Sequence, residues 1–93
     1  MIDFKALKIV HSYSYMNNKF FLLERSQLDY EGLSKKAGKD NEKLMLGFWD
    51  LMLCDEAGEL LKLTPKAIGD VPMNFRKYIC DMMAELASGQ KKV

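Results

Sequence analysis

The apolar positions of the chain fall into blocks with different rhythms, and each rhythm predicts an element. Near the start, Ile2, Ala6, Ile9, Tyr13 and Met16 recur at spacings of four, three, four and three, which places them in one stripe of a helix. The expected first element is therefore a helix from about Asp3 to Met16, with Asp3 as its N-cap. Phe4, Leu7, His11 and Tyr15 recur at three, four and four on nearly the opposite side of that helix. A helix with two apolar faces is either sandwiched inside its own chain or meets another molecule. Few helices remain in this chain to cover both sides.

The tetrapeptide MNNK, Met16 to Lys19, reads as a break, because asparagine side chains compete with the helix through local hydrogen bonds. KFFLLER, which follows, is a short buried strand or the start of a second helix, and helix is the preferred reading. Ser26 with Asp29 three residues on resembles a capping box with Asp in place of Glu, and Tyr30, Leu33 and Ala37 hold one face up to Gly38, where that helix should end. Asp40 is the natural N-cap of the next helix.

Its body, LMLGFWDLMLC from Leu44 to Cys54, has only Gly47 and Asp50 to interrupt the apolar residues. The run is too short to span a hydrocarbon core, which needs about 20 residues, and is the length of a buried core helix. A central helix over 41–57 is expected, with Gly47 allowing a close neighbour and Gly58 as C-cap. ELLKL, 59–63, is a short extended connector or strand. Thr64 and Pro65 then sit at N-cap and N1 of a short helix that Gly69, Asp70 and Pro72 end. The last helix, about Met73 to Ser88, should bury Phe75, Ile79, Met82, Met83 and Leu86 while Asn74, Lys77, Asp81 and Glu85 face water. Gly89 ends it.

Together these elements predict an all-α fold: a compact bundle of four or five short helices around a central apolar helix at 41–57, with room for one short extended segment at 59–63. One helical domain over 1–89 and a basic tail at 90–93 are expected.

Composition agrees with a globular chain: of 93 residues, 48% are apolar and 29% charged. Fourteen basic and thirteen acidic side chains leave a net charge of +1, so no global field steers the protein to nucleic acid or to an anionic membrane. Locally, Lys35, Lys36, Lys39 and Lys43 outweigh Asp40 and Glu42, while Asp50, Asp55, Glu56 and Glu59 outweigh Lys62; both groups read as solvated faces. Cys54 and Cys80 lie in apolar stretches and are expected to be reduced, buried thiols, although their spacing alone does not exclude a disulfide. The start, MIDFKALKIV, carries no secretory pattern, and a cytoplasmic protein is expected.

Candidate chemistry is sparse. His11 is the single histidine, and no nucleophile motif accompanies it. One histidine and two distant cysteines are too few for a structural zinc site, the carboxylates do not follow a calcium loop, and the glycines are isolated rather than grouped into a phosphate-binding loop. No metal and no cofactor are expected. The segment YEGLSKKAGKDNEKLMLGFWDLML followed by ELLKLTP resembles the winged-helix order of helix, turn, helix and short strand. Such a protein would use Lys35, Lys36, Lys39 and Lys43, but its second helix must offer polar side chains to the groove, and this one is apolar nearly all round.

CDEAGELLKLTPKAIGDVP, with the amphipathic helix after it, resembles the C-terminal half of some small helical phage proteins such as tail-assembly chaperones. The resemblance covers less than half of the chain and assigns no residue a role.

The function expected is non-enzymatic: a small interaction or adaptor protein that self-associates or binds a protein partner, and no membrane, through the second face of its first helix. Phe4, Leu7, His11 and Tyr15 would form that contact, with Phe21 as a further aromatic off the core stripe. A nucleic-acid-binding regulator is the alternative, and a phage-type assembly chaperone the second.

Overall fold

The residues expected to form the first helix instead form a β-hairpin. In the computed structural model, which describes residues 7–88, strand β1 runs Val10–Tyr15 and β2 runs Asn18–Leu23, paired antiparallel with Val10 opposite Leu23 and Tyr15 opposite Asn18. Met16 and Asn17 make the connecting turn, both with positive φ, at 51° and 66°. A two-residue turn of this hand matches the twist of the flanking strands. His11, Tyr13 and Tyr15 alternate with exposed Ser12 and Ser14, a period of two rather than 3.6. The predicted helix over 3–16 is thereby overturned for its described part, and residues 1–6, with Asp3 and Phe4, lie outside the described residues.

Two aromatic contacts explain why the hairpin wins. Tyr13 stacks on Phe20 across the two strands at 5.2 Å, and Tyr15 stacks on Phe75 at 5.3 Å. Pairing the strands buries Phe20, Leu22 and Leu23, and cross-strand aromatic pairs add to that burial. Lys19 to Leu23 of KFFLLER are thus strand where helix is expected from the sequence, and Glu24 and Arg25 lie beyond it.

After the hairpin the chain obeys its capping signals. Helix α1 spans Gln27–Ala37, with the Ser26 side chain accepting from the Asp29 N–H, and Gly38 follows it at φ 59°. Three residues later α2 begins, Asn41–Met52, with Asp40 accepting from the N–H groups of Glu42 and Lys43. The apolar run is then divided. Helix α2 stops at Met52, and Leu53–Cys54 form strand β3, which pairs antiparallel with β2. The expected helix over 41–57 therefore overruns the observed one by its last five residues, 53–57. The run has no single wet face because it belongs to two elements: Trp49, Met52, Leu53 and Cys54 are all buried.

Beyond β3, Asp55 accepts from the N–H groups of Ala57 and Glu59, and Gly58 takes φ 87°. Gly58 thus serves a turn, where a helix C-cap was expected. The turn brings Leu60 back beside Cys54 as an isolated bridge, the only pairing made within the expected extended segment. Thr64 caps α3, Pro65–Gly69, and the last helix, α4, spans Met73–Ser88.

The described residues are therefore mixed α/β, a three-stranded antiparallel sheet in the order β1-β2-β3 with four helices. This corrects the all-α bundle. One core of Phe20, Leu22, Trp49, Met52, Leu53, Ile68, Ile79 and Met83 joins sheet to helices, and the Trp49 indole N–H reaches the Cys80 sulfur at 3.4 Å to tie α2 to α4. Ile79 and Met83 are the buried stripe of α4, with Phe75, Met82 and Leu86 half-buried beside it.

Candidate functional site

The hydrogen-bond phase of the hairpin decides what its outer edge presents. The Glu24 N–H donates to the Ile9 carbonyl at 2.8 Å. In an antiparallel pair, bonded and non-bonded residue pairs alternate. With the observed register, His11, Tyr13 and Tyr15 therefore bond to β2, and Val10, Ser12 and Ser14 direct their N–H and C=O groups away from it. No hydrogen bond among the described residues takes up those outward groups. An open edge is a template for another strand, which natural sheets blunt with lysine, proline or a bulge. Between Val10 and Tyr15 there is no charge-bearing Lys, no Pro and no break in register. The small serines leave room for a second backbone. Lys8, just before the strand, is turned to Glu59 at 3.6 Å.

The residues predicted for partner binding are dispersed around this edge rather than aligned on one helix face. Leu7 is exposed ahead of β1. His11 begins the inner face of the strand, its Nε2 placed 2.8 Å from Glu24 Oε1. Tyr15 is spent internally, against Phe75 and Tyr78. Phe21 is half-buried on β2, opposite Ser12 and Cys54. Phe4 lies outside the described residues. The continuous stripe of Phe4, Leu7, His11 and Tyr15 thus has no helix to carry it.

The four lysines gather at the corner between α1 and α2: Lys35 and Lys36 in the last turn of α1, where they complement the helix dipole, Lys39 in the turn, and Lys43 in the first turn of α2. Lys36 and Lys43 line one groove; Lys35 and Lys39 do not. The helix-turn-helix order is present, but Met45, Leu46, Phe48 and Leu51 of α2 are half-buried against the core.

The His11–Glu24 pair borders a cleft of about 660 Å3 that Tyr30, Glu31 and Glu85 also line. No hydroxyl or thiol hydrogen-bonds to the His11 ring among the described residues, and no group of three metal-ligating side chains occurs among them. No helix among them is long and apolar enough to cross a membrane. Both cysteines are free, and burial, assisted by the charge of Asp55, pushes the Cys54 thiol above its ordinary pKa. Burial likewise raises the Tyr13 phenol, with the charge of Glu85 adding to it.

Sequence reasoning overlooked Val10, Ser12 and Ser14. The signal was the alternation in HSYSY, aromatic or imidazole on one side and serine on the other, which is a half-buried strand. No protein-family model matches the chain, and comparison with curated proteins and with solved structures finds nothing similar.

Proposed function

We propose that this is a non-enzymatic interaction protein that associates with a second copy of itself by strand addition at the edge of β1. The observation that carries this reading is the run of outward main-chain groups at Val10, Ser12 and Ser14, three donor and acceptor sets spaced two residues apart on an edge that no Lys, Pro or register break within Val10–Tyr15 blunts.

The edge is self-complementary. A two-fold axis through Ser12 pairs Val10 with Ser14 on each side and uses all three sets at once, joining two three-stranded sheets into one of six. No formal charge within Val10–Tyr15 opposes its own image across that axis. A cytoplasmic location fits the two free thiols, since reducing compartments keep cysteines unpaired. The winged-helix alternative has less support: α2 would have to leave its packing to enter a groove.

Ser12→Cys tests the reading. Opposed residues of a hydrogen-bonded antiparallel pair lie about 5.5 Å apart at Cα, within the span of a disulfide. Mild oxidation should convert Ser12→Cys to a covalent dimer and leave Ser34→Cys, an exposed position on α1, monomeric. Equal cross-linking of both variants, or of neither, would contradict the proposal.

A further inference from the structure

Away from β1, α1 and α2 and the segment after β3 enclose a groove of about 840 Å3, within the size of ligand-binding clefts. Its floor is leucine: Leu33 from α1, Leu46 and Leu51 from α2, and Leu60 beside β3, all half-buried and so incompletely covered by their own chain. Gly47 lets α1 pack closely on α2 at this floor, because a Cβ there would run into Leu33 Cδ1. The rim is charged. Lys36, Lys43 and Lys62 line it, all exposed, and none forms an ion pair among the described residues.

The two carboxylates at the rim do not cancel that charge. Asp29 is held by Arg25 Nε at 3.2 Å. Burial alone would raise its pKa, but hydrogen bonds from Arg25 and Ser26 and the Arg25 charge outweigh it and hold the carboxyl below its usual range. Asp29 is thus already answered by a cation that does not line the groove. Three lysines then face one unanswered carboxylate, Asp50. Lys62 itself sits at φ 49°, a left-handed conformation that a non-glycine residue adopts at some cost and that is enriched where side chains are held for binding.

We infer that this groove takes an acidic amphipathic helix from a protein partner, its leucine-type ridge on the floor and its carboxylates on Lys36, Lys43 and Lys62. Helix-in-groove recognition reads anchors at three- and four-residue spacing, and a floor supplied by two helices offers matching ridges. A nucleic acid fits less well. No aromatic residue lines the groove to stack a base, and four leucines would be left facing a polar backbone. The surface is separate from the β1 edge, so the two proposals stand or fall independently.

The test is fluorescence anisotropy with a labelled synthetic peptide of about 16 residues, some four helical turns, carrying leucines at i, i+3, i+4 and i+7 and glutamates elsewhere. The expected result is saturable binding, weaker by at least about tenfold for the same peptide with lysines in place of the glutamates. The double variant Lys36→Glu with Lys43→Glu should reverse that preference. Gly32→Phe, at a groove position with nothing within 4 Å of its Cβ, should block the acidic peptide while the far-ultraviolet dichroism stays native. Ser12→Pro should bind it as the wild type does. Equal affinity for the two peptides, indifference to both groove variants, or displacement of the peptide by a DNA duplex would overturn the inference.

Discussion

The outer edge of β3 is covered by its own chain, whereas the outer edge of β1 ends in main-chain groups that the described chain leaves unpaired. At β3, the Leu61 N–H donates to the Leu53 carbonyl at 3.1 Å and the Asp55 N–H to the Glu59 carbonyl at 2.9 Å, so the next few residues fold back and occupy the edge. At β1 no such segment returns among the described residues. Both strands face the same core, yet one has its hydrogen bonds completed locally and the other does not. Water solvates the outward groups of β1, but a row of them along a strand edge is a template that another strand can occupy, and that row lies on one side of the sheet.

The largest effect is expected from proline at adjacent positions of β1. Tyr13→Pro removes an N–H that bonds to β2 and should cost about 3 kcal/mol or more, enough to unfold a small domain; chemical denaturation would read it. Ser12→Pro removes an N–H that points outward, and should leave the denaturation midpoint close to wild type while abolishing association. If both variants unfold, the assigned hydrogen-bond phase is wrong.

Next in size is the covered edge. Gly58→Ala places a Cβ 3.2 Å from Val10 Cγ2 at a φ of 87° that alanine tolerates poorly, and should cost about 1–2 kcal/mol. Asp55→Ala removes the acceptor of two turn N–H groups and should cost about 1 kcal/mol. Neither should abolish dimer formation through β1, and a loss of association in Asp55→Ala would mean that the wrong edge has been assigned.

Smallest is a pH effect. The raised pKa of Tyr13, from burial first, means that the folded state holds the phenolic proton more tightly than the unfolded chain does. That stability is fully present below the ordinary phenol pKa of 10.0 and is lost as pH rises through the folded value. Tyr30, raised by burial against the opposing hydrogen bond from the Arg25 N–H, acts in the same direction. Tyr13→Phe should therefore flatten the alkaline limb of the stability profile, and an unchanged limb would contradict the assignment.

Legibility in the sequence followed the capping chemistry. Ser26, Asp40 and Thr64 each marked a helix start that the structure contains, and α4 runs over Met73–Ser88 as its periodicity predicts. The hairpin was illegible because its residues fit two periods at once. Ile9, Tyr13 and Met16 make a passable helical stripe, whereas His11, Tyr13 and Tyr15 make a strand face, and the contacts of Tyr13 with Phe20 and of Tyr15 with Phe75 decide between them. Local propensity cannot contain a contact seven residues away. The apolar run failed for a related reason: nothing in LMLC announces that a helix ends at Met52, since β2 beside it, and no cap residue, recruits Leu53 and Cys54. Of the candidate sites, Lys36 and Lys43 were legible as a basic pair, but the leucine groove they border required the packing of α1 on α2.

Association of two copies through the β1 edge is measured by light scattering on the wild type and on Ser12→Pro over a wide range of concentration. The mass should rise from one chain to two in the wild type and stay at one chain in Ser12→Pro, with both folded. A wild type that remains monomeric throughout, or a Ser12→Pro variant that dimerises equally well, would contradict it.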